Sequence, residues 1–143
     1  MAAKKPAVPR GIRNNNPGNI DYKKANNWLG RLPRDESIEP RFERFEKPEY
    51  GIRAIYKLLT RYTSTYKDDS IRKILTRWAP ALENDTDSYV QHVAKELGLD
   101  ADTPLPVPLD REMQIALAKA IVEHENGQNP YKDDVYIRAY DLI

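Results

Sequence analysis

Arg10-Gly11-Ile12-Arg13-Asn14-Asn15-Asn16-Pro17-Gly18-Asn19-Ile20 is the stretch on which the reading of this chain turns. Three consecutive asparagines run into Pro-Gly and then a fourth asparagine. Proline presets φ near −65° at the second position of a turn, and glycine accepts the positive φ that a type II turn needs at the third. Asn16 precedes proline and is pushed away from helical backbone. The amides of Asn14, Asn15, Asn16 and Asn19 therefore fan out from a fixed, non-helical loop. Such a loop either caps neighbouring main chain or binds a polar ligand rich in hydroxyl and amide groups.

Outward from this turn the chain changes character twice. Residues 1–9 are basic and lack an apolar run, so they read as a flexible tail and not as a secretory signal. Residues 10–47 carry little helical periodicity. Ile20 and Tyr22 alternate with polar neighbours, Trp28-Leu29-Gly30 follows a turn, and Arg41-Phe42-Glu43-Arg44-Phe45-Glu46 looks extended. This predicts a small β-hairpin or three-strand meander. From Pro48 onward the 3.6-residue period takes over. Ile52, Ile55, Leu58, Leu59, Tyr62 and Tyr66 predict a helix over 48–66, capped afterwards by a second with Ile71, Ile74, Leu75 and Trp78, which starts at Asp69 or Ser70 and stops at Pro80. The loop Glu83-Asn84-Asp85-Thr86 leads into a third helix, closed by Gly98. Three alternating prolines in 100–108 exclude helix there. Asp110 caps a fourth helix over 111–126 that is apolar around most of its circumference and therefore central. Asp133 or Asp134 caps a last short helix. The expected fold is mainly α (α+β): a single domain over 10–143 with about five helices and a small N-terminal β region.

Composition narrows the function. There are no cysteines, so disulfide and thiol chemistry are excluded, and no apolar run of about 18 residues predicts membrane insertion. Residues 1–80 hold 18 Lys/Arg against 9 Asp/Glu, whereas residues 81–143 hold 5 against 13. The basic residues are interleaved with acids, which argues against nucleic acid and leaves either internal complementarity between the two halves or a basic face toward an anionic polymer such as cell wall. With two histidines and no HExxH spacing, neither a metal nor another cofactor is expected.

One segment can carry acid–base chemistry. The central helix ends in Glu123-His124-Glu125-Asn126-Gly127. The negative end of a helix dipole and apolar neighbours both raise a carboxyl pKa, as a general acid requires. A solvated last turn is the plain alternative, and His124 on the apolar stripe reads as a core histidine. Trp28, Trp78 and tyrosines including Tyr50, Tyr56, Tyr62, Tyr66, Tyr89 and Tyr131 offer faces on which sugar rings stack, or else simply pack the core.

The opening motif resembles that of a family of small phage and prophage proteins described as virion structural or lysozyme-like. The match continues through Trp28-x-Gly30, Asp35, Phe42/Phe45, Tyr50-Gly51-Ile52-Arg53-Ala54, Arg77-Trp78-Ala79-Pro80, Glu83-Asn84, Tyr89 and Glu125-Asn126-Gly127. The same order is similar, more weakly, to flagellar-type glucosaminidases and lytic transglycosylases, in which a catalytic glutamate ends the helix before the asparagine turn. Here only nine residues precede the motif. A circular permutation would restore the arrangement, with Glu125 delivered from the C-terminal side to the Asn14–Asn19 loop.

The resemblance implies a lysozyme-like fold and a peptidoglycan glycosidase, muramidase or lytic transglycosylase, carried with a phage particle and acting at the bacterial wall. Glu125 would be the acid and Asp35 or Glu36 a second carboxylate. Asn14, Asn15, Asn16, Asn19, Trp28, Tyr50 and Tyr131 would hold the glycan strand. Other virion or tail proteins are further expected partners. The alternative is a non-catalytic virion structural or wall-binding protein on the same frame.

Overall fold

A computed structural model describes residues 8–80 and 84–143. Most of the expected tail and Glu83 of the loop lie outside the described residues. Six helices follow in order: α1 (Arg10–Arg13), α2 (Pro48–Ser64), α3 (Ile71–Trp78), α4 (Thr86–Leu97), α5 (Arg111–Asn126) and α6 (Asp133–Asp141). The chain is mainly α. None of these helices is long and apolar enough to cross a membrane.

The helix ends follow local chemistry. Pro48 starts α2 at a position where its missing N–H costs nothing. Ser70, Asp85 and Asp110 cap α3, α4 and α5, each accepting a main-chain N–H three residues on. Gly98 and Gly127 close α4 and α5 in the left-handed conformation. Two expectations differ. Helix α2 ends at Ser64 rather than 66. No side chain caps α6; its N-cap is Lys132, and Asp133 and Asp134 instead sit in the first turn, where the helix dipole favours them.

Helix α5 lies at the centre, packed against α1, α2, α4 and α6. Its Leu117, Ala118, Ile121 and Val122 are fully buried, among Ile52, Ile55 and Leu59 of α2 and Val90 and Val93 of α4. Tyr56 and Tyr136 are core residues with satisfied hydroxyls: Tyr56 donates to the Tyr136 carbonyl, and Tyr136 to Asn129 Oδ1. The proline-rich connector docks at the start of α3, with Leu105 N–H donating to the Asp69 carbonyl at 2.7 Å and Arg72 N–H to the Ala101 carbonyl at 3.0 Å.

The expected β-hairpin or meander is not a sheet. Among the described residues it reduces to two isolated antiparallel bridges, Asp21 with Phe42 and Arg31 with Phe45. Side chains hold this segment where a ladder would otherwise run. Glu39, 1% exposed, accepts from Arg10, from Asn14 and from the N–H groups of Arg41 and Phe42. Arg31 bonds Glu43 and the carbonyls of Lys23 and Asn26, and Arg34 bonds the Pro40 carbonyl. The Arg31 and Arg34 guanidiniums both stack on Tyr22 at 4.4 Å. With main-chain groups taken up by arginine, glutamate and asparagine side chains, strand pairing does not propagate.

Candidate active site

The asparagine turn is present, but its backbone differs from the type II expectation. Asn19 N–H donates to the Asn16 carbonyl at 2.9 Å across Pro17-Gly18, closing the turn. Positive φ falls on Asn15 (52°) and Asn19 (50°), not on Gly18. Gly18 is required by crowding: a Cβ there would sit 2.9 Å from Ile55 and 3.0 Å from Trp78. Asparagine tolerates the left-handed region better than most residues, which accounts for Asn15 and Asn19.

The four amides divide by task. Asn16 is completely buried; its Nδ2 donates to the carbonyls of Ile20 and Glu43, and its Oδ1 accepts from Ile20 N–H, all at 3.0 Å. Asn14 donates to Glu39 and Asn15 to the Phe45 carbonyl. These three staple the turn to the segment around residues 39–45. Asn19 turns the other way and donates to Glu125 Oε1 at 3.0 Å, across 106 residues of sequence.

The end of α5 therefore lies against the turn. Asn126 strengthens the junction by donating to the Pro17 carbonyl at 2.8 Å as well as to Val122 of its own helix. Gly11 fills the angle between the two. A Cβ at that position would approach Asn126 Oδ1 to 2.7 Å and Asn19 Oδ1 to 2.8 Å. Both of these amide oxygens are buried without a donor partner.

Glu125 is half-buried and opens on a groove of about 350 Å³. Asn19, Trp28, Tyr62 and Trp78 line it as amide and aromatic surface, and Asp21, Lys23, Arg41 and Arg77 add charge. Burial pushes the Glu125 carboxyl above the usual carboxylate range. Contacts with Asn19, Tyr89 and Trp78, and the more distant Arg41 charge, pull part of the way back. Tyr89 is 2% exposed, and its hydroxyl lies toward Glu125 without closing a hydrogen bond. Its ring stacks on His124 at 3.7 Å. His124 is no isolated core histidine, because its Nδ1 meets His92 Nδ1 at 2.9 Å, and burial lowers its pKa.

The other expected site residues lie elsewhere. Asp35 accepts from the Ser37 N–H and hydroxyl in an exposed turn, which holds its pKa below the ordinary value, and neither it nor Glu36 lines the Glu125 groove. The carboxylate that does line it with Glu125, among the described residues, is Asp21, paired with Arg41 at 2.8 Å. Trp28 borders both the groove and a second, shallower hollow in which Tyr50 lies. Tyr131 packs edge-on to Tyr136, and burial raises its pKa to about 12. Asn14, Asn15 and Asn16 do not line the groove. Asp21 and Asn126 were missed by sequence reasoning; for Asn126 the signal was its place directly after the acid, where an amide can reach back to the turn.

Among the described residues no cluster of three or more histidine, aspartate or glutamate side chains is arranged to hold a metal ion. No family model matches the chain. Over 134 residues it is 38% identical to protein P5 of Pseudoalteromonas phage PM2, an alignment that spans 92% of this chain and 80% of that protein, and the chain belongs to the family of that phage protein.

Proposed function

We propose that this protein is a virion-associated, lysozyme-like glycosidase that cleaves the glycan strand of peptidoglycan, with Glu125 as its acid. The observation that carries the reading is a carboxyl group raised by burial and set at the edge of a groove walled by Trp28, Tyr62 and Trp78 and by the Asn19 amide. A carboxylic acid that keeps its proton toward neutral pH can give it to a leaving glycosidic oxygen. Aromatic faces suit the apolar faces of pyranose rings.

Asp35 and Glu36 supply no second carboxylate beside Glu125, and Asp21 is neutralised by Arg41. This favours the single-acid, lytic transglycosylase form of the reaction. Glu125 protonates the glycosidic oxygen as the bond from it to the anomeric carbon breaks. The resulting carboxylate then takes the proton from a hydroxyl of the same sugar as that oxygen closes on the anomeric carbon. No water is consumed, and one group serves as acid and then base.

The test is turbidity loss on purified cell walls across pH 4 to 8, comparing the protein with Glu125→Gln. Clearing by the parent and a drop of at least about 100-fold in the folded variant is expected. Equal clearing by both removes Glu125 from the chemistry. No clearing by the parent at any pH leaves the non-catalytic virion protein, a reading favoured by the purely structural employment of Asn14, Asn15 and Asn16.

A further inference from the structure

Tyr89 reaches the site from a helix that carries none of the expected catalytic residues. It is 2% exposed, yet its hydroxyl has no hydrogen-bond partner, an expensive state for a buried polar group. Its ring cannot easily swing away. One face lies on His124 at 3.7 Å with 26° between the planes, and His124 is in turn tied to His92 across the α4–α5 seam. One of these two Nδ1 atoms donates and the other accepts, so the histidines hold each other's orientation. The hydroxyl so fixed lies toward the Glu125 carboxyl, and both side chains line a small hollow that shares Asn84 and Glu125 with the main groove. Asn19 already occupies Glu125 Oε1.

Resting on the acid role of Glu125, we propose that Tyr89 is its positioning residue: anchored by the His92–His124 pair, the phenol donates to the Glu125 carboxylate and holds it between α4 and the asparagine turn. Donation to the charged form matters most at the point where Glu125 has just released its proton to the leaving oxygen. A half-buried carboxylate with the Asn19 amide, the Trp78 side chain and a distant Arg41 charge to receive it is a better conjugate base with one more donor. The phenol supplies that donor without adding a charge that would strip the acid of its proton beforehand. Trp78, the remaining polar neighbour of this carboxyl, lies on α3 and belongs to the groove wall.

Tyr89→Phe keeps the ring, the stacking on His124 and the burial, and removes only the hydroxyl. Two readouts separate positioning from packing. The first needs no activity: titration of the Glu125 side-chain carboxyl by ¹³C NMR, whose midpoint moves upward in the variant because a donor to the charged form is gone. The second is the pH profile of wall clearing, whose falling limb, where the acid loses its proton, shifts in the same direction while the maximal rate falls about tenfold, the loss expected for one hydrogen bond to a charged group. An unmoved Glu125 midpoint in folded Tyr89→Phe overturns the proposal, whatever the clearing rate does. A shifted midpoint in a protein that clears no walls upholds the Tyr89–Glu125 coupling and overturns the glycosidase reading instead. Should Tyr89→Phe fail to fold, the coupling is read in reverse from the Tyr89 ring titration, which moves downward in Glu125→Gln if the two groups interact and stays put if they do not.

Discussion

Asn16 and Asn19 stand three residues apart in one turn, and substituting each with alanine should have opposite consequences. Asn16→Ala removes three hydrogen bonds of 3.0 Å from a completely buried site. The Ile20 carbonyl keeps a partner, since it also accepts from Glu43 N–H at 3.0 Å. The Ile20 N–H and the Glu43 carbonyl lose theirs. Each orphaned buried group costs about 1–3 kcal/mol, so the variant should be destabilised by roughly 2–6 kcal/mol. For a chain of this size that corresponds to a fall in Tm on the order of 8–20 °C. Asn19→Ala removes one partly buried bond to Glu125, relieves an unpartnered oxygen and puts alanine at a positive φ that asparagine tolerates better, so its cost should stay within about 2 kcal/mol. Its effect should appear in wall clearing. Thermal and urea unfolding followed by far-ultraviolet circular dichroism, with clearing measured alongside, gives both numbers. If Asn16→Ala costs less than about 1 kcal/mol, or Asn19→Ala costs more than Asn16→Ala, the division of the turn into a stapling half and a site-facing half is wrong.

Two further outcomes follow from the same junction. Because burial raises the Glu125 pKa in the folded state, the native protein retains a proton that the unfolded chain releases above about pH 4.3; stability therefore falls as pH rises from there to the folded-state pKa, then levels. Glu125→Gln should remove that fall, matching the parent near pH 4 and exceeding it in Tm at pH 7; a parent–variant gap that does not widen with pH contradicts the burial of this carboxyl. Gly11→Ala should reduce wall clearing although residue 11 does not itself line the groove, because its Cβ would crowd the Asn19 and Asn126 oxygens and the Asn16 carbonyl; a crystal structure with both amides unmoved would contradict the contact.

Much of the helical frame was legible in the order of residues because each part of the signal is local. Ser70, Asp85, Asp110, Gly98 and Gly127 act within a few residues of themselves, and the 3.6-residue stripes of α2 and α5 need only their own helix to be seen. The segment before α2 was misread as strands because what holds it is long-range and carried by side chains: Glu39 gathers donors from Arg10, Asn14, Arg41 and Phe42, and no alternation encodes that. The site was legible in part. A glutamate ending an apolar helix stands out, and the order of motifs suggested that it meets the turn. Which asparagine it meets did not follow, because Asn14, Asn15 and Asn16 are taken up by the segment around residues 39–45 through contacts that span about 25 to 30 residues, and only Asn19 is left for Glu125. Order of motifs alone points to Asp35 and Glu36 as the second carboxylate, but local turn bonding to Ser37 occupies Asp35.

The bond from Asn19 to Glu125 joins positions 106 residues apart. Closing so long a loop is entropically costly, and contacts of this span tend to form late. A growing chain thus carries the turn, the tryptophans and most of the groove wall long before it owns the carboxyl that completes them. The site cannot be assembled by degrees during translation; it is absent until α5 has been made and its end has docked. On the proposed glycosidase reading, no unfinished chain holds both the groove wall and its acid.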